Sequence, residues 1–374
     1  MSNNLVLCVR SMNVVGGKER AVARIANALS ASYHVSILAM DGEVASFYPL
    51  HPQIQQHALH TLSFLGKPKS IKTVFQFFIG VGRLAKFIRK KKPMLIIGND
   101  FLVNIQLILA KWCSCLYSIP IIGWEHITLQ DPVIQSRKML VRLRNLFYQK
   151  LDSLVVVTSS DEHYCNKRHI NSYLIPYPQS FTFNGTLHYE QTKILTIARF
   201  SHQKGLDLYC QLISLLKDHL DEWKFILVGK EDDMSLSDVK RLVYNHGIEA
   251  YVEIKSPQAD VVPFYQQASI YLLTSRYEGL PITLIEAQTC GLPCVSFDCK
   301  TGPSDIIEQG LSGFIVPPFD LNEMANKLQQ LMNSLSLRKA MGQASKNAAK
   351  RYDENQIVAR WHILITKVIN RKDR

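Results

Sequence analysis

The sequence predicts an α/β protein made of two successive doubly wound, parallel-sheet domains. Three observations carry that reading. The chain has 374 residues, and one domain per ~150 residues makes two domains the default. Short apolar runs alternate with helix-length amphipathic stretches, as in a parallel sheet covered on both faces. The alternation stops once, at IPYPQSFTFNGT (175–186), and then restarts; a stretch rich in Pro, Gly, Asn and Thr without periodicity reads as a linker.

Taken in order, buried strands are expected at LVLCV (5–9), HVSILA (34–39), MLIIG (94–98), IPIIGW (119–124) and SLVVVT (153–158). Helical stretches such as 18–31 and 101–117 separate them. The second set is expected at 193–198, 224–229, 251–254, 269–274 and 293–297. A last amphipathic helix covers 353–369. The expected domains are therefore 1–182 and 183–350, followed by a C-terminal helix within 351–374.

Composition narrows the class. With 47% hydrophobic and 20% charged residues, disorder, collagen and coiled coil are excluded. No uncharged apolar window is long enough to span a bilayer. The opening MSNNLVLCVRSMNVVGG has no basic stretch ahead of a long apolar one, so no secretory signal is expected. The eight cysteines form no CxxC pair and no Cys/His metal spacing, and most lie in apolar runs as small hydrophobes. A reducing cytosol is the simplest compartment. Charge is lopsided: residues 1–185 hold 21 Lys+Arg against 9 Asp+Glu, a net of +12, and residues 186–374 hold 22 of each, a net of zero. The basic half implies an anionic partner.

The loops carry the chemistry. The first strand runs into Ser11-Met12-Asn13-Val14-Val15-Gly16-Gly17, not a GxGxxG pattern; a Gly-Gly turn entering a helix lets a ligand approach the backbone beside the positive helix end, or simply makes a tight turn. In the second half, Arg199 and Lys204 flank a strand-to-helix loop at a spacing that suits a diphosphate held at two points. After the strand ending near Thr274 comes Arg276-Tyr277-Glu278-Gly279-Leu280-Pro281, with Glu286 further on. Pro281 suits the first helical position, which leaves Glu278 in the loop and Glu286 on the second turn. The Gly279 and Leu280 amides then point at any anion there. Glu286 is placed to take a vicinal diol, as an acid does in dinucleotide sites; among Leu284, Ile285 and Ala287 it would be costly to bury without a partner.

Glu278-x7-Glu286 followed by Cys290-Gly291-Leu292-Pro293-Cys294-Val295 resembles the retaining glycosyltransferases of family 4. Arg199-x4-Lys204-Gly205, Gly16-Gly17-x-Glu19-Arg20, Trp124-Glu125-His126 and Thr301-Gly302-Pro303-Ser304-Asp305 are similar to that family's other landmarks, in the right order over nearly the whole chain. Capsule, lipopolysaccharide and exopolysaccharide transferases of bacteria are the members it looks most like. The resemblance implies the GT-B fold, two Rossmann-like domains facing across a cleft, with the last helix crossing back to the first domain. It implies that Arg199 and Lys204 neutralise the donor diphosphate and that Glu286 takes the ribose hydroxyls. Glu278 and the amides of Gly279 and Leu280 hold sugar hydroxyls, Gly16 and Gly17 approach the phosphates and sugar, and His126 contacts the donor sugar.

The implied reaction moves a hexose or N-acetylhexosamine from a nucleotide sugar, with UDP favoured, to a lipid-linked saccharide in surface polysaccharide biosynthesis. The nucleotide sugar is a substrate, so no cofactor is implied. No DxD triplet is present to hold a cation, so metal-independent catalysis is expected. His126 is a residue type that titrates near neutrality, which leaves a base role open. Residues 72–92 and 137–144 mix cations with Phe75, Phe77, Phe78, Leu84, Phe87 and Ile88, as in segments that lie on an anionic inner-membrane surface, or in two ordinary core helices with solvated faces. No nucleic-acid signature accompanies them. A sugar-nucleotide epimerase of the same fold, or a binding protein that lost turnover, are the competing readings.

Overall fold

The computed structural model describes residues 3–14, 16–60, 71–115, 117–130, 135–258 and 260–371. The chain divides into two compact units, one made of residues 1–178 with 354–374 and one of residues 179–353.

Unit 1 is built on seven parallel strands: β1 (Asn4–Val9), β2 (His34–Ala39), β3 (Gln55–Ala58), β4 (Leu95–Asn99), β5 (Ile121–Trp124), β6 (Ser153–Val156) and β7 (Ser172–Leu174). Their order is 3-2-1-4-5-6-7. The central strands β1, β4 and β5 are buried along their length, which is why each reads as an uninterrupted apolar run. Two strands escape such a reading: β3 (QQHA) and β7 (SYL) close the two edges, with no fully buried residue in either. The closing helix Glu354–Asn370 belongs to this unit. Trp361 is wholly buried with its ring 4.8 Å from that of Trp124, and the Arg24 Nε donates to Glu354 at 2.6 Å.

Unit 2 repeats the plan with β8 (Lys193–Ile197), β9 (Lys224–Val228), β10 (Val252–Lys255), β11 (Ile270–Leu273), β12 (Cys294–Phe297) and β13 (Gly313–Val316), in the order 10-9-8-11-12-13. The short GFIV strand β13, opening on a glycine, also escaped the sequence reading. Its core gathers Phe225, Leu227, Leu272, Val295 and Phe297 from the strands with Leu212 and Leu328 from covering helices.

The strand order reverses once in each parallel sheet, between β1 and β4 in unit 1 and between β8 and β11 in unit 2. Helices leave neighbouring strands on opposite faces there, and the loops at the carboxyl ends part to leave a crevice. The motif residues after β1, β8 and β11 lie at these two points, and Glu125 and His126 follow the adjoining strand β5.

Candidate active site

In unit 2 the chain leaves β8 through Ala198–Ser201, makes one tight turn over His202–Lys204 and enters the helix Leu206–Leu216 at Gly205. Gly205 has φ +63°, and a Cβ there would sit 2.2 Å from the Thr274 carbonyl oxygen. Only glycine lets this loop lie against the one after β11. The contact delivers Lys204 to Glu278: Nζ is 2.5 Å from Oε1, with both side chains mostly covered. Sequence spacing put these residues in separate loops; the fold makes them an ion pair.

Arg276 locks that geometry. Its guanidinium forks onto Asp207 at 2.8 and 2.6 Å and also donates to the His202 carbonyl at 2.9 Å, and its amide donates to the Gln203 carbonyl at 2.8 Å. Gln203 returns a bond from Nε2 to the Tyr277 carbonyl at 2.9 Å. The hydrogen bonds from Arg276 hold the Asp207 carboxyl below its ordinary range. A bidentate Arg–carboxylate pair adds directional rigidity as well as energy, so the two loops move as one.

Arg199 points elsewhere. It pairs with Asp232 on the loop after β9, and both side chains are largely solvent-exposed. Glu278 is fixed from the other side as well, its carbonyl accepting from Thr301 Oγ1. Gly302 at φ +95° packs so closely that a Cβ would meet the Gly279 oxygen at 2.0 Å. The helix carrying Glu286 spans Ile282–Cys290 with Pro281 as its N-cap, one residue later than the spacing predicted. Glu286 is buried, and its Oε2 accepts from Tyr265 Oη at 2.7 Å.

Unit 1 shows a different arrangement at its switch point. Gly16 is the N-cap of the helix Gly17–Leu29 in extended backbone, so no left-handed turn demands a glycine; its bareness makes room for Glu19, whose Oε2 would be 2.3 Å from a Cβ. Lys18 Nζ is 2.8 Å from Asp100 and 3.4 Å from Glu19. Burial pulls the Lys18 pKa down, but Asp100 and Glu19 outweigh it and leave the ammonium above its ordinary value. Asp100 itself sits at φ +94°, a conformation that costs a side-chain-bearing residue about 1–3 kcal/mol.

His126 corrects an expectation. It is buried, and both ring nitrogens are engaged. Asn99 donates its amide to the Cys8 carbonyl at 3.1 Å, which turns its Oδ1 toward the ring as an acceptor. His126 Nε2–H therefore donates to Asn99 at 2.9 Å, and Nδ1 accepts from Tyr177 Oη at 2.9 Å. Burial, helped by the Lys18 charge, pushes the His126 pKa well below its usual value. The ring is a neutral, fixed group and does not titrate near neutrality. Beside it, burial and the Asp100 charge raise the Glu125 carboxyl to about 8, despite bonds from Tyr148 and Asn104.

The basic stretches are also sorted. On the helix Ile71–Lys91, Leu84 and Ile88 are buried and Phe77 and Phe87 pack on the core, while Phe75 and Phe78 are 67% and 59% exposed. On the helix Lys138–Tyr148, Arg144 is 2% exposed, donating to the Leu129 carbonyl and to Tyr164. Arg144 thus leaves the set of surface cations. Arg89 is tied to the Ser114 and Cys113 carbonyls. No helix among the described residues is long and apolar enough to cross a membrane, and no three Asp, Glu, His or Cys side chains among them cluster as metal ligands.

Residues 180–348 match the family model for glycosyl transferases group 1. That stretch is nearly all of unit 2, which is therefore similar to a group 1 glycosyl transferase domain. Over its length the chain is 27% identical to the amylovoran biosynthesis glycosyltransferase AmsD of Erwinia amylovora, with 96% of this chain and 99% of that one covered. It is 28% identical, over 95% and 96% of the two chains, to a Campylobacter jejuni α-1,4-N-acetyl-D-galactosaminyltransferase named for a diphospho-undecaprenol-linked saccharide. The solved structure of Anabaena HepE in complex with UDP superposes with a TM-score of 0.79 at 15% identity, covering 98% of this chain and 100% of that one. The fold is GT-B, two parallel-sheet α/β domains.

In unit 2 the loops after β8 and β11 bring Lys204, Glu278 and Arg276 together, with Gly279 and Leu280 ahead of the next helix. Sequence reasoning missed Tyr265, Asp207, Asn99 and Tyr177, each of which holds a motif residue in place. None of the four lies in a motif; only the topology makes them neighbours.

Proposed function

We propose that this glycosyltransferase moves a hexose or N-acetylhexosamine from a UDP-sugar to a lipid-linked saccharide, with retention of configuration and without a metal ion. The observation that carries the reading is the Lys204–Glu278 ion pair, held by the Arg276–Asp207 fork at the switch point of unit 2. Breaking a sugar–phosphate bond leaves positive charge on the anomeric carbon and negative charge on the diphosphate. Lys204 answers the second charge as a preorganised group, with the amides of Gly279 and Leu280, and Arg199 joins it by exchanging Asp232 for the diphosphate. Glu278 accepts hydrogen bonds from sugar hydroxyls. The acceptor oxygen forms its bond to the anomeric carbon on the face the phosphate leaves, and its proton passes to the departing phosphate oxygen. Glu286 holds the ribose, Gly16 and Gly17 keep the donor-facing role given by the family resemblance, and His126 serves as a neutral contact for the sugar and not as a base.

The lipid-linked acceptor is supported by the Campylobacter relative's name, and UDP by the complex of the Anabaena protein. Peripheral docking on the anionic inner face of the cytoplasmic membrane follows from the exposed Phe75, Phe78 and Ile79 beside Lys86 and Lys90, with Met139, Leu143 and Leu146 beside Arg142. A basic, aromatic surface of this kind lies in the headgroup layer. Nucleic acid has no part in this reading.

The test is incubation with radiolabelled UDP-sugars and a membrane extract. Label is expected in the lipid phase, with the anomeric configuration kept, and in excess EDTA as much as without it. Conversion of the free nucleotide sugar alone would make the protein an epimerase, and binding without turnover would make it a receptor. Loss of transfer with chelator, restored by magnesium or manganese, would overturn the metal-free mechanism.

A further inference from the structure

Tyr265 belongs to no motif, yet it is the side chain that holds Glu286. It stands on the short helix Val262–Gln266 and is wholly buried. Its ring is boxed between Tyr271 and Phe181, with centroids 5.9 and 6.1 Å away. So confined, its hydroxyl has one place to be, and it donates to Glu286 Oε2 at 2.7 Å with the Thr283 carbonyl oxygen 3.3 Å away. Burial first, then the Glu286 charge, push the Tyr265 pKa well above its ordinary value. The phenol therefore keeps its proton at any working pH and acts toward the carboxylate as a fixed donor.

A glutamate side chain has three rotatable bonds, and a carboxylate has about four lone-pair directions for hydrogen bonds. Committing one direction to a caged donor sets the plane and position of the others. Two vicinal hydroxyls need both at once, and preorganisation lowers the ordering cost of binding them. We propose that Tyr265 is the positioning residue that sets Glu286 for the 2′- and 3′-hydroxyls of the donor's ribose, and that it thereby makes this site select ribonucleotides over their deoxy forms. The proposal rests on the reading of Glu286 as the ribose-binding acid. A site built to accept a hydroxyl rejects an analogue lacking it, because the buried carboxylate is then left short of a partner. Discrimination of this kind depends on the carboxylate staying where the hydroxyl should be. Tyr265 supplies that constraint.

The experiment measures calorimetric affinities of the full chain for UDP and for 2′,3′-dideoxy-UDP, in the wild type, in Tyr265→Phe and in Glu286→Gln. Phenylalanine keeps the packed ring and removes only the hydroxyl, and dideoxy-UDP reports whether the rest of the site survives. The wild type is expected to prefer UDP by tenfold or more. Tyr265→Phe is expected to lose most of that preference by weakening UDP alone, with dideoxy-UDP bound as before. Glu286→Gln is expected to lose it as well. If Glu286→Gln erases the preference while Tyr265→Phe keeps it, Glu286 does bind the ribose but Tyr265 does not set it. Equal weakening of both nucleotides by Tyr265→Phe makes the residue a packing element only, and overturns the proposal. If the wild type binds both nucleotides alike, the ribose reading of Glu286 falls and this inference falls with it.

Discussion

At the carboxyl end of the unit 2 sheet, Lys204 meets Glu278 and Arg199 meets Asp232, each cation beside an acid. At the corresponding end of the unit 1 sheet, next to the Lys18–Asp100 pair, a neutral His126 is sealed between Asn99, Tyr177 and Trp124. The contrast is between partners that can be exchanged and partners that cannot. An exposed ion pair such as Arg199–Asp232 contributes about 0–1 kcal/mol, so exchanging the aspartate for another anion costs little. A buried imidazole with both nitrogens bonded has nothing to gain by moving, because a broken bond there leaves an unsatisfied polar atom. Unit 2 therefore carries charges whose partners can exchange, and unit 1 presents a fixed wall at the end of its sheet.

The sharpest way to break that contrast is to remove the exchangeable cation that is also covered. Lys204→Ala should lower kcat/KM for transfer by about 10²–10³-fold or more, the scale of losing one preorganised charge contact to a transition state. Thermal melting should fall as well, because the covered Glu278 carboxylate loses its cation, so the kinetics are read at a temperature where the variant is folded. Normal transfer by the variant would show that the ion pair is structural.

A second prediction concerns the wall itself. Trp361 from the closing helix packs on Trp124, the neighbour of His126 in sequence and in space. Trp361→Ala should destabilise unit 1 by about 3–5 kcal/mol, the cost of emptying a buried indole site. Denaturant unfolding followed by probes placed in each unit should show the unit 1 transition moving and the unit 2 transition holding. Coincident shifts in both would mean that the two units unfold together.

The two units were also unequally legible in the sequence. Central strands such as β4 and β11 are buried on both faces and announce themselves as apolar runs; β3 and β7 lie on edges, where half-exposed residues leave no such run. Lys204 and Glu278 were readable from their places in the loops that follow strands, and Glu286 from its set spacing on the next helix. Among their holders, Asp207 meets Arg276 across 69 positions of sequence and Tyr265 meets Glu286 across 21, brought together by the fold. The neutrality of His126 comes from burial and from Asn99, and the inward turn of Arg144 comes from Leu129 and Tyr164. Neither burial nor a tertiary partner is written locally, so an amphipathic basic helix and a histidine beside an acid both read as more exposed than they are.

The wall should also show in the pH dependence of unit 1, with two limbs of opposite sign. Glu125 is raised from the ordinary 4.5 to about 8, by burial first and then by Asp100. Its contribution is complete below pH 4.5 and is lost as the pH rises through about 8, since the unfolded chain gives up a proton the folded chain keeps. His126 is lowered by burial, so its contribution is complete above the ordinary histidine value and is lost as the pH falls through the lowered one. Glu125→Gln keeps an acceptor for Tyr148 and should flatten the alkaline limb of the unit 1 urea midpoint between pH 6 and 9. An unchanged alkaline fall in the variant would assign that limb to another group.

The smallest effect separates two arginines on one helix. Arg142 is exposed beside Leu143, whereas Arg144, two residues on, is buried against the Leu129 carbonyl and Tyr164. If unit 1 docks on an anionic surface, each exposed cation near it contributes about 1 kcal/mol, which is about fivefold in affinity. Arg142→Gln should weaken binding to phosphatidylglycerol-containing vesicles by about that factor, with the melting temperature unchanged. The loss should shrink at high salt, where a Debye length near 8 Å at physiological strength contracts further. Arg144→Gln should do the reverse, lowering the melting temperature because the buried Leu129 carbonyl and Tyr164 hydroxyl each lose a charged donor, with little change in vesicle affinity at temperatures where the protein is folded. Equal vesicle affinity for wild type and Arg142→Gln at low salt would mean that this helix faces water, and that the excess of positive charge in the first half of the chain serves something other than a membrane.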